Sequence, residues 1–98
     1  MTLDLTVRPE AEEDIREAFN WYEARITGLG SEFLLVLDAA FNSILRNYST
    51  YPEVYKTVRR ALTRRFPFAV FFLVEETRIV ILSVFHVKRN PQTWKNRL

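Results

Sequence analysis

Phe66-Pro67-Phe68-Ala69-Val70-Phe71-Phe72-Leu73-Val74, then Glu75-Glu76-Thr77-Arg78, then Ile79-Val80-Ile81-Leu82-Ser83-Val84-Phe85, is the stretch whose reading decides the fold. Both apolar runs are rich in β-branched and aromatic residues, and the polar spacer between them has the length of a hairpin loop. Each run is apolar at odd and even positions alike. Strands of that kind bury both faces, so they belong at the centre of a sheet. The longest run holds nine residues and includes Pro67, far short of the roughly 20 needed to span a bilayer.

Upstream, Val54 to Leu62 reads as a strand of mixed polarity, entered through the turn Tyr51-Pro52-Glu53. At the other end of the chain, Leu3, Leu5 and Val7 alternate with Asp4 and Thr6, the period of a half-buried strand. Pro9 opens a helix whose first turn carries Glu10, Glu12, Glu13 and Asp14, where the helix dipole favours negative charge. Ala11, Ile15, Ala18, Tyr22 and Ile26 form its apolar stripe. Thr27-Gly28-Leu29-Gly30 interrupts the pattern. A second helix follows from about Ser31 to Asn47, with Phe33/Leu34, Leu37, Ala40/Phe41, Ile44/Leu45 and Tyr48 on its buried side. So short a connection predicts antiparallel helices.

The order strand, helix, helix, strand, strand, strand predicts an α+β domain: a four-stranded antiparallel sheet with an N-terminal helical hairpin on one face. If the helices cover Phe68, Val70, Phe72 and Val74, then Phe71 and Leu73 point the other way. An exposed apolar patch there marks a partner-binding surface, unless homodimerisation or the segment around Pro91 and Trp94, about one helical turn, covers it.

Ninety-eight residues make a single domain, 1–98, large enough to fold around its own core. The absence of cysteine excludes disulfides and thiol chemistry, and one histidine leaves no His/Cys cluster for zinc. No metal and no cofactor is expected. The N-terminus, with Asp4 and Arg8, has no apolar signal core, so the chain reads as a cytoplasmic protein with no membrane association.

Charge is segregated along the chain. The first 55 residues carry four Lys/Arg and ten acids, a net −6; the last 43 carry ten Lys/Arg and two acids, a net +8. The formal total of +2 conceals a basic segment suited to a polyanion or an acidic partner. Arg59, Arg60, Arg64 and Arg65 lead into the first apolar run, and the second delivers His86, Lys88 and Arg89. The arginines and Lys88, with Trp94, are the candidate target-binding set. An imidazole moves protons near neutral pH and arginines neutralise a phosphorane, the two requirements of metal-free RNA cleavage by a 2′-hydroxyl. His86, Arg65 and Arg89 would carry that chemistry, although the same groups hold a phosphate without reacting. Trp94, Tyr48, Tyr51 and Tyr55 could stack on bases or simply pack.

Other features carry less. Gly28-Leu29-Gly30 follows a helix and has Phe33 where a phosphate loop needs glycine, so it reads as a helix-helix turn. Glu12, Glu13, Asp14 and Glu17 fit a solvated helix face. His86 with Ser83 lacks the third member of a triad.

Taken together, Pro9-x-Ala11-x-x-Asp14-Ile15, Trp21-Tyr22, Gly28-Leu29-Gly30-x-x-Phe33, Tyr51-Pro52, Arg59-Arg60, Arg65-Phe66-Pro67-Phe68-x-Val70-Phe71 and Val84-x-His86-x-x-Arg89-x-Pro91-x-x-Trp94 resemble the RelE/ParE toxins of type II toxin-antitoxin systems. The resemblance covers nearly the whole chain and implies the same α+β fold. It implies a cognate antitoxin, forming a heteromer with the chain, and arrest of growth through DNA gyrase or through ribosome-bound mRNA. RelE-like members are mRNA endonucleases, using basic residues on the sheet and a residue near the C-terminus; ParE-like members inhibit gyrase without being nucleases. Here Ala69 stands where RelE-type nucleases carry an arginine, and no tyrosine follows Tyr55. These departures favour gyrase inhibition, with His86, Arg65 and Arg89 compatible with either branch. A non-toxic basic adaptor for nucleic acid is the reading of a different class. On either toxin reading, the acidic first helix is a scaffold face kept away from the target.

Overall fold

The computed structural model describes residues 3–98. Strand β1 (Asp4–Val7) leads into helix α1 (Pro9–Arg25) and helix α2 (Leu29–Asn47). A 3₁₀ turn, Tyr48–Thr50, precedes strands β2 (Glu53–Tyr55), β3 (Val58–Leu62), β4 (Phe68–Val74) and β5 (Arg78–His86), and a short helix α3 (Pro91–Lys95) is the last element. The sheet has five strands in the order β1-β5-β4-β3-β2. As the doubly apolar runs required, β4 and β5 are interior strands.

Two expectations about the sheet are corrected. The segment 54–62 is not one strand but the hairpin β2–β3, turning at Lys56 with φ 52°. No glycine or asparagine marks that left-handed position, so local chemistry conceals the turn. The sheet is also mixed, because β1 runs parallel to β5, pairing Asp4 with Arg78 and Val7 with Ile81. Alternation reveals that a segment is a strand but not which neighbour it takes or in which direction.

The helical hairpin packs on one face, over Phe68, Val70 and Phe72 of β4 and Ile79, Ile81 and Val84 of β5. Two glycines shape its bend. Gly28 adopts φ 91°, and a Cβ on Gly30 would sit 2.7 Å from the Phe19 ring. The first amides of α2 are capped from α1 itself: the Glu23 carboxylate accepts hydrogen bonds from the N–H groups of Gly28 (2.8 Å) and Gly30 (2.9 Å). That satisfies orphan donors and complements the helix dipole. Ile26, assigned to the buried stripe, instead ends α1 in an extended conformation and is exposed, as are Leu34 and Leu35 on the outer face of α2.

On the opposite face, Val58, Ala69, Phe71, Val80, Leu82 and Phe85 form a second core closed by Trp94 of α3. The expected exposed patch is therefore covered by the chain's own C-terminal segment. Trp94 is 7% exposed and stacks on Phe71 at 4.0 Å between ring centroids, with 16° between planes. Leu73 stays half-buried at the margin.

One irregularity in β5 decides which face the end of the strand presents. Phe72 pairs with Ile81 but Phe71 pairs with Ser83, so Leu82 is an extra residue, a bulge. Odd positions Ile79 and Ile81 face the helices before it; the even position Val84 does so after it.

Candidate functional site

Because of that bulge, His86 lies on the helix side of the sheet end, against Phe68, with ring centroids 5.6 Å apart and nearly perpendicular planes. Its Nδ1 accepts a hydrogen bond from the Lys88 N–H at 3.1 Å. In the neutral imidazole this leaves Nε2 as the protonated nitrogen, a donor. Beyond it, the turn at Val87–Arg89 brings the Arg89 guanidinium over the Phe85 ring, 4.0 Å from its centroid. Asn90 then caps α3, its Oδ1 accepting from the Gln92 N–H.

Two cavities meet at His86 and Arg89. The first, about 440 Å³, opens on the helix side, walled by Ala18, Trp21, Tyr22, Pro67 and Phe68, with Glu17 among the residues that line it. The second, about 310 Å³, lies on the opposite face and is lined by Arg60, Ala69, Phe71 and Trp94 among others. Both are predominantly apolar hollows, the composition of a site that seats a side chain or small apolar group, with Asp14, Glu17, His86 and Arg89 the acidic and basic residues of the first. Burial raises the phenol of Tyr22, one of the residues lining the first, above its ordinary 10.0.

The structure thus assembles His86, Arg89 and Arg60, with Lys88 exposed on the adjoining turn. It disperses the rest of the basic set. Arg59 turns toward the helices, where it donates to the carbonyl of Tyr51 at 2.6 Å and lies 3.9 Å from Glu53. Arg64 lines a separate hollow beside Arg46. Arg65, at φ 66°, is paired with Glu32 of α2 at 3.0 Å and lines neither cavity at His86. Trp94 is core, not a free stacking surface. The tyrosines pack as well: Tyr51 shares a hydrogen bond with Ser43, and Tyr55 meets Trp94 edge-on.

The acidic helix is likewise not kept apart from this site. Glu17 and Asp14 both line the first cavity. Asp14, read as part of a solvated face, is 6% exposed and forms a bidentate pair with Arg97 at 2.6 and 3.0 Å. Asp14 and Arg97 are the polar residues that sequence reasoning missed. The available signal was weak: Asp14 falls between Ala11 and Ala18 at helical spacing, on the inward stripe.

Residues 5–91 match the family described as the ParE toxin of type II toxin-antitoxin system, parDE. The chain belongs to this family. A solved structure described as the chromosomal ParDE TA system from P. aeruginosa superposes with a TM-score of 0.78 at 18% identity, covering 87% of this chain and 96% of that one. At that identity the likeness shows the fold. No curated protein matches the chain. As a ParE-family protein it is the toxin side of a type II module, which implies an antitoxin partner. Among the described residues no helix is long and apolar enough to cross a membrane.

Proposed function

We propose that this ParE-family toxin arrests growth by inhibiting DNA gyrase through protein contacts at the His86–Arg89 end of its sheet. The observation that carries this reading is the lining of the two cavities. Apolar and aromatic side chains dominate, Arg60 and Arg89 are the arginines that line them, and Ala69 is buried in the floor of the second. A metal-free nuclease stabilises a dianionic phosphorane with several convergent cations and needs both an acid and a base. Here one imidazole nitrogen is engaged by the backbone of Lys88. Apolar hollows with two arginines, and with the carboxylates of Asp14 and Glu17 repelling a phosphate from the first, suit anchor side chains of a protein partner better than a scissile phosphate.

The test compares gyrase supercoiling with ribosome-dependent mRNA cleavage for the purified protein and its His86→Gln variant. Supercoiling is expected to be inhibited and mRNA left intact. His86→Gln should weaken inhibition by about 2- to 12-fold, the loss of one neutral hydrogen bond. Codon-resolved mRNA cuts that vanish in His86→Gln, with gyrase unaffected, would refute the proposal.

A further inference from the structure

Strand β1 ends opposite Ile81, so residues 82–86 of β5 run on to the site with no strand among the described residues beside them on that edge. The edge is closed by side chains instead. Asp14 accepts a hydrogen bond from the Val84 N–H at 3.1 Å. Arg97, held in the bidentate pair, donates to the Leu82 carbonyl at 3.4 Å and to Ser83 Oγ at 3.2 Å. Arg8 in turn donates to the Arg97 carbonyl at 3.1 Å. The start of α1, the unpaired end of β5 and the segment after α3 are therefore tied together two residues before His86.

The tie reaches the site through one ring. The Arg97 guanidinium lies over Phe85 at 4.6 Å from its centroid, and the same ring carries Arg89 at 4.0 Å. Replacing such a pair with apolar groups is often neutral or stabilising, so stability alone does not account for it. What a two-pronged pair supplies is fixed geometry.

We propose that Asp14 and Arg97 are positioning residues: they lock the open edge of β5 and the Phe85 ring, and thereby aim His86 and Arg89 at the target. The inference rests on the reading of the His86–Arg89 end as the target-contacting surface. Neither residue need touch the target.

The experiment uses the full chain with Arg97→Lys, which keeps the charge and loses the fork, and Asp14→Asn/Arg97→Gln, which keeps an acceptor for Val84 without charge. Three quantities are read: the NMR signal of the Arg89 Nε–Hε group, inhibition of supercoiling, and growth arrest on induction. In the unmodified protein that proton should be rigid and shifted upfield by the Phe85 ring. In both variants the shift should collapse while backbone dispersion persists, and half-inhibition should need about tenfold more protein, the low end for losing one charge-assisted hydrogen bond from Arg89 to the target. Arg60→Gln should weaken inhibition without moving the Arg89 signal. An Arg89 signal unchanged in a folded variant overturns the proposal, as does a collapsed shift with undiminished activity. Should neither variant fold, the unmodified protein decides: an unshifted, motionally averaged Arg89 proton overturns it and a shifted, rigid one upholds it. If the unmodified protein leaves gyrase untouched, the target reading fails, and the Arg89 signal with growth arrest still tests the positioning role.

Discussion

Replacing Trp94 by alanine separates a residue that holds the fold from one that is free to contact a target. The indole is 7% exposed, stacked on Phe71 at 4.0 Å and in edge contact with Tyr55 at 6.0 Å. Removing a buried tryptophan side chain costs about 3 to 5 kcal/mol. The lower end applies here, because Trp94 borders the hollow of about 310 Å³ on the outer face of the sheet and water can enter the space it vacates. A loss of about 3 kcal/mol corresponds to a Tm lower by about 12 to 24 °C for a domain of this size. Urea unfolding followed by far-ultraviolet circular dichroism measures it without relying on the fluorophore removed. Trp21→Phe is the reference: Trp21 is 54% exposed, with the Arg25 guanidinium 3.9 Å from its ring. Its replacement should cost less than about 1 kcal/mol. A Trp94→Ala variant that loses under about 1 kcal/mol while losing toxicity would refute the packing argument and return Trp94 to the target-binding set.

Gly30→Ala should destabilise by about 1 to 3 kcal/mol, because its Cβ would meet the Phe19 ring and the Phe19 carbonyl; thermal unfolding reads the loss. Adjacent arginines should behave oppositely. Arg59→Gln should lose about 1.5 kcal/mol through its bond to the Tyr51 carbonyl, whereas Arg60→Gln should leave stability within about 0.5 kcal/mol and relieve growth arrest. Tyr22 makes stability fall in alkali. Its folded phenol titrates above 10.0, so its contribution is intact below that pH and is lost as pH rises through the folded value. Tyr22→Phe should flatten the alkaline limb of a Tm-versus-pH curve.

Local sequence was sufficient for everything set by period and composition. The doubly apolar runs 66–74 and 79–85 had to be interior strands, the stripe from Ala11 to Tyr22 had to be a helix face, and Gly28 had to turn. Those readings hold because hydrophobic burial acts residue by residue and repeats with the geometry of the element. The pairing of β1 with β5, the split at Lys56 and the cover that Trp94 places on Phe71 were decided by contacts between distant segments, which leave no periodic trace. The charge division is the plainest case. A −6 half and a +8 half along the chain become neighbours in space, where Arg65 meets Glu32 and Arg97 meets Asp14.

The candidate site was half legible. His86 and Arg89 stood out as titratable and charged groups at the end of an apolar strand, and they do converge. Which face they occupy was not legible, since uninterrupted alternation from Ile79 would put Phe85 on the helix side and His86 on the other. The extra residue Leu82 reverses that assignment. A bulge inside an all-apolar strand changes no polarity pattern, so only the register against β4 and the packing of α1 reveal it. For the same reason Asp14 looked like one more solvated acid. Its meaning depends on Arg97, 83 residues away, and on an edge of β5 that exists only once β1 has stopped opposite Ile81.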